Sequence, residues 1–242
     1  MAMIDAPVKQ PQRDAWWQSK TAAYLLKQER TALNETLPTI FGYYLVQSGC
    51  WGQPGTLTEA SPIRTRLIVG DCGAAGVGVA GDPCYLPFLS DAVDAVLLPH
   101  TLERVAEPEQ VLREAERVLR GEGQVVVLGF HPWGPWGIMR HFRRRADWDG
   151  RFLRLGRLKE WLGVLGFEIV QVRHLVYRPP WRSRLLLLRC AFLDRLAWRL
   201  TAGAYLVVAR KRVFSMTPLR SQRARRRPAF SGVAKPTTRS MQ

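Results

Sequence analysis

The span from Asp82 to Phe130 constrains this chain more than any other. Ala92 to Leu98 is a short apolar run rich in valine and leucine, with the length and composition of a buried strand. Pro108 then stands where the first turn of a helix tolerates proline, because the N–H it lacks would have no partner there. Behind it Val111, Leu112, Ala115, Val118 and Leu119 recur at helical spacing and make one apolar face, while Arg113, Glu114, Glu116 and Arg117 take the other. Gly121 and Gly123 supply the permissive backbone for leaving a helix, and Val125 to Leu128 reads as the next buried strand. Strand, helix and strand at this spacing predict a parallel, right-handed crossover.

The same span carries a series of short motifs in a fixed order: Asp82 with Leu86-Pro87-Phe88, then Asp94-Ala95-Val96, then His100-Thr101-Leu102-Glu103. A helix ending Arg117-Val118-Leu119 follows, then the Gly121 and Gly123 stop and the run to Phe130. The series resembles the second half of a class I S-adenosylmethionine-dependent methyltransferase, most closely the type 11 branch that includes quinone-biosynthesis methyltransferases. The resemblance implies an α/β fold: a doubly wound, mostly parallel, seven-stranded Rossmann-like sheet with its last strand antiparallel. It also implies S-adenosylmethionine as cofactor and methyl transfer to an oxygen, carbon or nitrogen of a small molecule. Fold alone does not fix activity. The rival reading is a non-catalytic methyltransferase-like protein that binds nucleic acid through its basic surface and tail.

In the N-terminal half, Asp14 caps a helix running from about Ala15 to Leu33 or Leu37, and Tyr43 to Ser48 reads as a strand. That strand enters Gly49-Cys50-Trp51-Gly52-Gln53, where the resemblance places the cofactor turn, with Gly49, Trp51 and Gly52 against the methionine part. Gln47 stands where the family has an acid, Trp51 where it has its second glycine and Gln53 where it has the last. An indole there either obstructs the cofactor or lines its pocket. The glycine-rich run after Val69 is a decoy: Asp82 follows only eleven residues after Asp71, and one crossover alone needs ~10–12. Counting from Gly49 leaves thirty-three residues, enough if one crossover is shortened. Thr65 to Val69 is therefore the second strand. Asp71 then matches the family's ribose-binding carboxylate, or is a turn residue beside Gly70. Asp82 matches the family's residue near the adenine amine, or is a loop aspartate. Leu86 completes the implied cofactor set.

His100 and His131 fall at the carboxyl ends of neighbouring strands, where open parallel sheets bind ligands. His100 is the best candidate for a catalytic base where the acceptor carries a proton, and also a cofactor-pocket candidate; its other reading is a turn histidine. Glu103, His131, Trp133 and Trp136 form the candidate substrate set. The loop from His131 to Gly137 makes a rigid aromatic rim that stacks a flat substrate or packs on the N-terminal helix. An Asp/Asn-Pro-Pro-Tyr/Phe sequence is missing after the fourth strand, which leans away from methylation of nucleobase amines. Leu158 to Leu165 reads as a helix closed by Gly166, and Phe167 to Val172 and Tyr205 to Lys211 as the last two strands. Between them residues 177–200 are an insertion, with a helix from Arg184 to Leu200 that is a lid, a dimer contact, a membrane-surface helix or a core helix.

Composition bounds the rest. The 4 cysteines form no C-x-x-C pair and no histidine stands at zinc-ligand spacing from them, so no metal is expected. Met1 to Lys20 has no continuous apolar stretch of the signal-peptide kind, and Leu185 to Leu188 is too short to span a bilayer, so a cytoplasmic protein is expected. From Arg210 onward ten Lys or Arg face no acid, out of a net charge of +16. The expected organisation is a methyltransferase-like domain over residues 14–212 and a basic, disordered tail over 213–242. That tail either contacts a polyanion (RNA or an anionic membrane) or is simply solvated.

Overall fold

The computed structural model of the protein describes residues 20–49, 51–70, 76–132, 151–175 and 203–213. The apolar runs form β1 (Tyr44–Ser48), β2 (Thr65–Gly70), β3 (Val79–Ala80), β4 (Val93–Pro99), β5 (Leu119–Phe130), β6 (Phe167–Leu175) and β7 (Ala204–Lys211). They make one seven-stranded sheet in the order β3-β2-β1-β4-β5-β7-β6. Pairings from β3 through β5 are parallel, and β7 runs antiparallel to both β5 and β6. The expected α/β sheet with its antiparallel last strand is the sheet observed.

Side chains alternate across each strand, so the sheet has a core on each face. On one face Val46, Val96, Val127 and Val207 pack with Leu112 of α2 (Pro108–Val118) and Leu158 of α3 (Leu155–Val164). On the other, Leu45, Leu97, Leu128 and Leu206 pack with Leu25 and Leu33 of α1 (Lys20–Thr36). The connection from β1 to β2 holds turns in place of a helix among its described residues. Trp51, Leu57 and Ile63 from that connection are buried with α1. Thus α1, which precedes the first strand, covers the face that a crossover helix would otherwise cover. Asp14 and residues 15–19, the expected start of this helix, lie outside the described residues. No helix among the described residues is long and apolar enough to cross a membrane.

One junction departs from the sequence reading. The glycines at 121 and 123 do not end a helix. α2 stops at Val118, Leu119 is already extended, and pairing with β4 steps from Val93↔Leu119 to Ala95↔Gln124 across a bulge. Burial of Leu119 against Val93 decides this. The Lys211 ammonium donates to Glu116 O at 2.8 Å and Leu119 O at 2.9 Å, satisfying carbonyls where the helix ends. Gly123 allows the bulge, since a Cβ there would lie 2.9 Å from Arg120 O.

Gly129 sets the spacing of β5 against β7. A Cβ at Gly129 would sit 2.5 Å from the ring of Tyr205. That ring is 1% exposed, and its hydroxyl donates to Leu153 O at 3.1 Å. Gly129→Ala should therefore cost about 1–3 kcal/mol through overpacking. The measurement is the urea midpoint, and a midpoint equal to wild type would contradict this packing.

Candidate active site

The parallel strands bring the carboxyl ends of β1, β2, β4 and β5 to one edge of the sheet, and strand order reverses between β1 and β4. Open α/β sheets bind ligands at such a switch point. Here the Thr101 hydroxyl donates to Ser48 O at 2.7 Å and ties the two strand ends together. Gly49 follows with φ +84°, and a Cβ there would meet only Thr101 Oγ1, at 3.9 Å. Gln47, 2% exposed, donates through Nε2 to Gly49 O at 2.8 Å. Its Oε1 and the Ser48 hydroxyl are both buried without a partner. Buried polar atoms ordinarily have partners, so two unmatched ones beside an open glycine mark a place for a ligand with hydrogen-bond donors.

Beside this opening lies a buried charge cluster whose key member comes from α1. Ala22, Leu25, Leu26, Ala32 and Leu33 form the inward stripe of that helix, and Glu29 falls within it at helical spacing. Glu29 is fully buried. Its Oε1 lies 2.7 Å from His100 Nε2, and its Oε2 accepts from the indole N–H of Trp51. His100 Nδ1 lies 3.1 Å from Glu103 Oε2, and Glu103 Oε1 accepts the backbone N–H of Phe130. His100 has a backbone φ of +53°, and its imidazole stacks on Phe130 at 4.2 Å with Trp51 edge-on at 5.3 Å. Burial alone would lower the His100 pKa. The Glu29 charge and the hydrogen bonds from Glu103 and Glu29 outweigh it and raise the pKa to about 10. At neutral pH His100 is an imidazolium donating both N–H groups, with no lone pair for a proton. Its expected role as catalytic base is corrected accordingly: it holds α1, the Trp51 turn and the ends of β4 and β5 together.

The remaining candidates separate. Trp51 is 2% exposed and packed on the α1 side of the sheet. Gly52 has its close approach to α1, since a Cβ there would lie 2.5 Å from Leu26 Cδ2. Glu103 is 2% exposed and committed to His100 and Phe130, so the expectation that it faces substrate is corrected too. Asp82 is exposed just after β3 and accepts the Cys84 N–H at 2.8 Å, closing a local turn. Leu86 lies in the core on the α2 side, its N–H donating to Glu114 at 3.1 Å. His131, half-buried at the end of β5, has its pKa lowered by burial and by His174. The Cys84 thiol is pushed up to about 11 by burial and Asp82, which keeps it a protonated, unreactive thiol at neutral pH. Asp71, Trp133, Trp136, the insertion at 177–200 and the tail from 214 lie outside the described residues. Sequence reasoning missed Glu29, although a carboxylate inside an apolar helical stripe requires a buried partner.

Residues 68–127 match the model of the type 11 methyltransferase domain. The uncharacterized protein YafS of Escherichia coli (strain K12) is 29% identical over 218 residues, 87% of this chain and 88% of that one. The demethylmenaquinone methyltransferase of Mycolicibacterium paratuberculosis is 33% identical over 86 residues, 36% of this chain and 35% of that enzyme. Among solved structures, an S-adenosylmethionine-dependent methyltransferase from Archaeoglobus fulgidus superposes with TM-score 0.58 at 16% identity, covering 77% of this chain and 94% of that one. One from Mesorhizobium loti gives TM-score 0.53 at 17% identity over 77% and 100%. The structural likenesses show the fold.

The buried cluster has a defined pH signature. A histidine whose pKa rises on folding contributes stability that is fully present below its unfolded value near 6.5 and is lost as pH climbs toward about 10. Glu29→Ala should cost about 3–5 kcal/mol at pH near 6, because it leaves a buried charge without its partner. The difference from wild type should shrink by pH near 10. Urea titrations of both proteins at the two pH values check this, and a difference that does not change with pH would show that His100 is neutral in the folded protein.

Proposed function

This chain carries a class I methyltransferase domain of the type 11 family, and from that premise we propose that it transfers a methyl group from S-adenosylmethionine to a small-molecule acceptor. The observation that supports the reading is the end of β1, where a Cβ at Gly49 would meet only Thr101 Oγ1 at 3.9 Å and Gln47 Oε1 and Ser48 Oγ lack partners. These residues fit the cofactor's methionine end: Gln47 Oε1 accepts from the ammonium, and Gly49 allows the backbone to approach. Asp82, exposed beyond β3, is the acceptor for the adenine amine, and Asp71 for the ribose hydroxyls. The cofactor supplies an electrophilic methyl on a sulfonium, so the protein's work is mainly alignment.

The proton of a protic acceptor goes elsewhere than His100. His131 is the strand-end histidine held neutral at pH 7 by burial and by His174, and it keeps the capacity to take a proton. Trp133 and Trp136, outside the described residues, are the further acceptor-binding candidates of the sequence pattern. The methyltransferase-like domain spans 14–212 and the basic tail 213–242. Trp51, packed into the α1-side core, leaves the opening at Gly49 unobstructed, which supports the enzyme over the non-catalytic reading.

S-adenosylmethionine at a hundred times its dissociation constant should stabilise the protein by about 2.7 kcal/mol. Gly49→Val, which forces a β-branched residue to a positive φ and fills the opening, should remove that shift. Thermal denaturation with and without cofactor reads both, and transfer of labelled methyl to a metabolite extract reads activity. No shift at millimolar cofactor and no labelled product would overturn the proposal.

A further inference from the structure

A cleft of about 660 Å³ opens between the loop after β4, the amino end of α2 and the first two turns of α3. Its volume is that of a small-molecule site. It adjoins the buried cluster directly: Leu102, two residues after His100, lines it, and so does Phe152, whose ring lies 5.4 Å from that of Phe130. It thus lies beside the ends of β4 and β5.

The lining has two characters. Leu102, Val105, Pro108, Phe152 and Trp161 give an apolar wall. Arg151, Arg154 and Arg157 line it together with Glu109 and Glu160. The Arg157 guanidinium lies 5.0 Å from the centroid of the Trp161 ring, which holds the head group over an aromatic surface. Its nearest carboxylate oxygen, on Glu109, is 4.0 Å away in an exposed pair, an arrangement that contributes little and yields readily to a better partner. Arg151 makes no side-chain ion pair among the described residues, and its N–H donates to Glu103 O at 2.9 Å, which anchors it to the strand end.

We infer that this cleft is the acceptor pocket and that the acceptor is an amphipathic anion, an aromatic or hydrocarbon body ending in a carboxylate or phosphate. The inference rests on the methyltransferase reading above. A guanidinium fork matches those two anions in geometry as well as charge, and the apolar wall takes the body. A neutral ligand leaves the Arg151 and Arg157 guanidinium groups without an anion, and a cation gains nothing from them.

The test uses the full chain and a fluorescent probe, an anilinonaphthalene sulfonate, with uncharged phenylnaphthylamine as the control sharing its aromatic body. The sulfonate should bind more tightly than the amine by roughly tenfold, the loss expected when a charge-assisted hydrogen bond is missing. Arg151→Ala combined with Arg157→Ala should erase that difference and leave the amine unaffected. Gly156→Trp fills the cleft, because a Cβ at Gly156 meets no atom within 4 Å, and should abolish binding of both probes. Calorimetric binding of S-adenosylmethionine should be unchanged in all variants. Decanoate and decyl phosphate, as separate displacers, decide which anion is preferred. Equal binding of the two probes, or full sulfonate affinity in the arginine variant or in Gly156→Trp, overturns the inference. Normal probe results in a protein that never binds S-adenosylmethionine overturn the methyltransferase reading, and with it the acceptor role, while leaving the anion site.

Discussion

The carboxyl edge of this sheet depends on a buried imidazolium shared between two carboxylates. Glu29, His100 and Glu103 are each at most 2% exposed, and charges at that depth persist only when paired and fully hydrogen-bonded. Both conditions hold. Each imidazole nitrogen faces a carboxylate, and the remaining carboxylate oxygens take the Trp51 indole N–H and the Phe130 backbone N–H. Such a cluster contributes less to stability than an equally packed apolar core would. Its effect is to fix geometry, because every partner must stay in place or leave a bare charge inside the protein.

That geometry explains why the glycine-rich turn departs from its family pattern. A tryptophan in place of the second glycine is accommodated because Glu29 draws the indole N–H into the core on the α1 side. The glycine kept at position 52 serves Leu26 of the same helix. A Cβ at Gly49 would meet only Thr101 Oγ1, at 3.9 Å, and the unmatched atoms of Gln47 and Ser48 belong to the two residues before it. The turn thus divides, with Trp51 and Gly52 facing α1 and Gly49 facing the end of β4.

The β4–α2–β5 unit was legible in the sequence because its periodicity changes cleanly from strand to helix to strand. The junction at Leu119 was not, since the glycines after it permit a helix exit and only pairing with Val93 shows that the strand has already begun. The missing helix between β1 and β2 was legible only as a shortage of residues. Asp82 fits its reading as a loop aspartate, closing a turn through Cys84 while staying exposed. Glu29 was not legible as a site residue, because a single carboxylate inside an apolar helical stripe carries no sign in the sequence of where the cationic partner its burial requires will come from. The roles of His100 and Glu103 failed for the same cause, since strand-end position suggests a ligand and only Glu29 reveals that they face inward.

The two strand-end histidines then divide by charge. His100, between carboxylates, is held protonated; His131, beside another histidine and half-buried, is held neutral. Opposite pKa displacements at one edge thus set two histidines at neighbouring strand ends in opposite charge states. The arginine-lined cleft is consistent with this division. Under the proposed function a carboxylate or phosphate acceptor would arrive ionised and, where that group itself received the methyl, would need no base. Where a hydroxyl or amine elsewhere on the same molecule received it, the anion would serve as the anchor and the proton would pass to His131. In both cases the arginines and the apolar wall would position the reacting atom, while His100, with both nitrogens engaged by carboxylates, keeps the floor of the site in place.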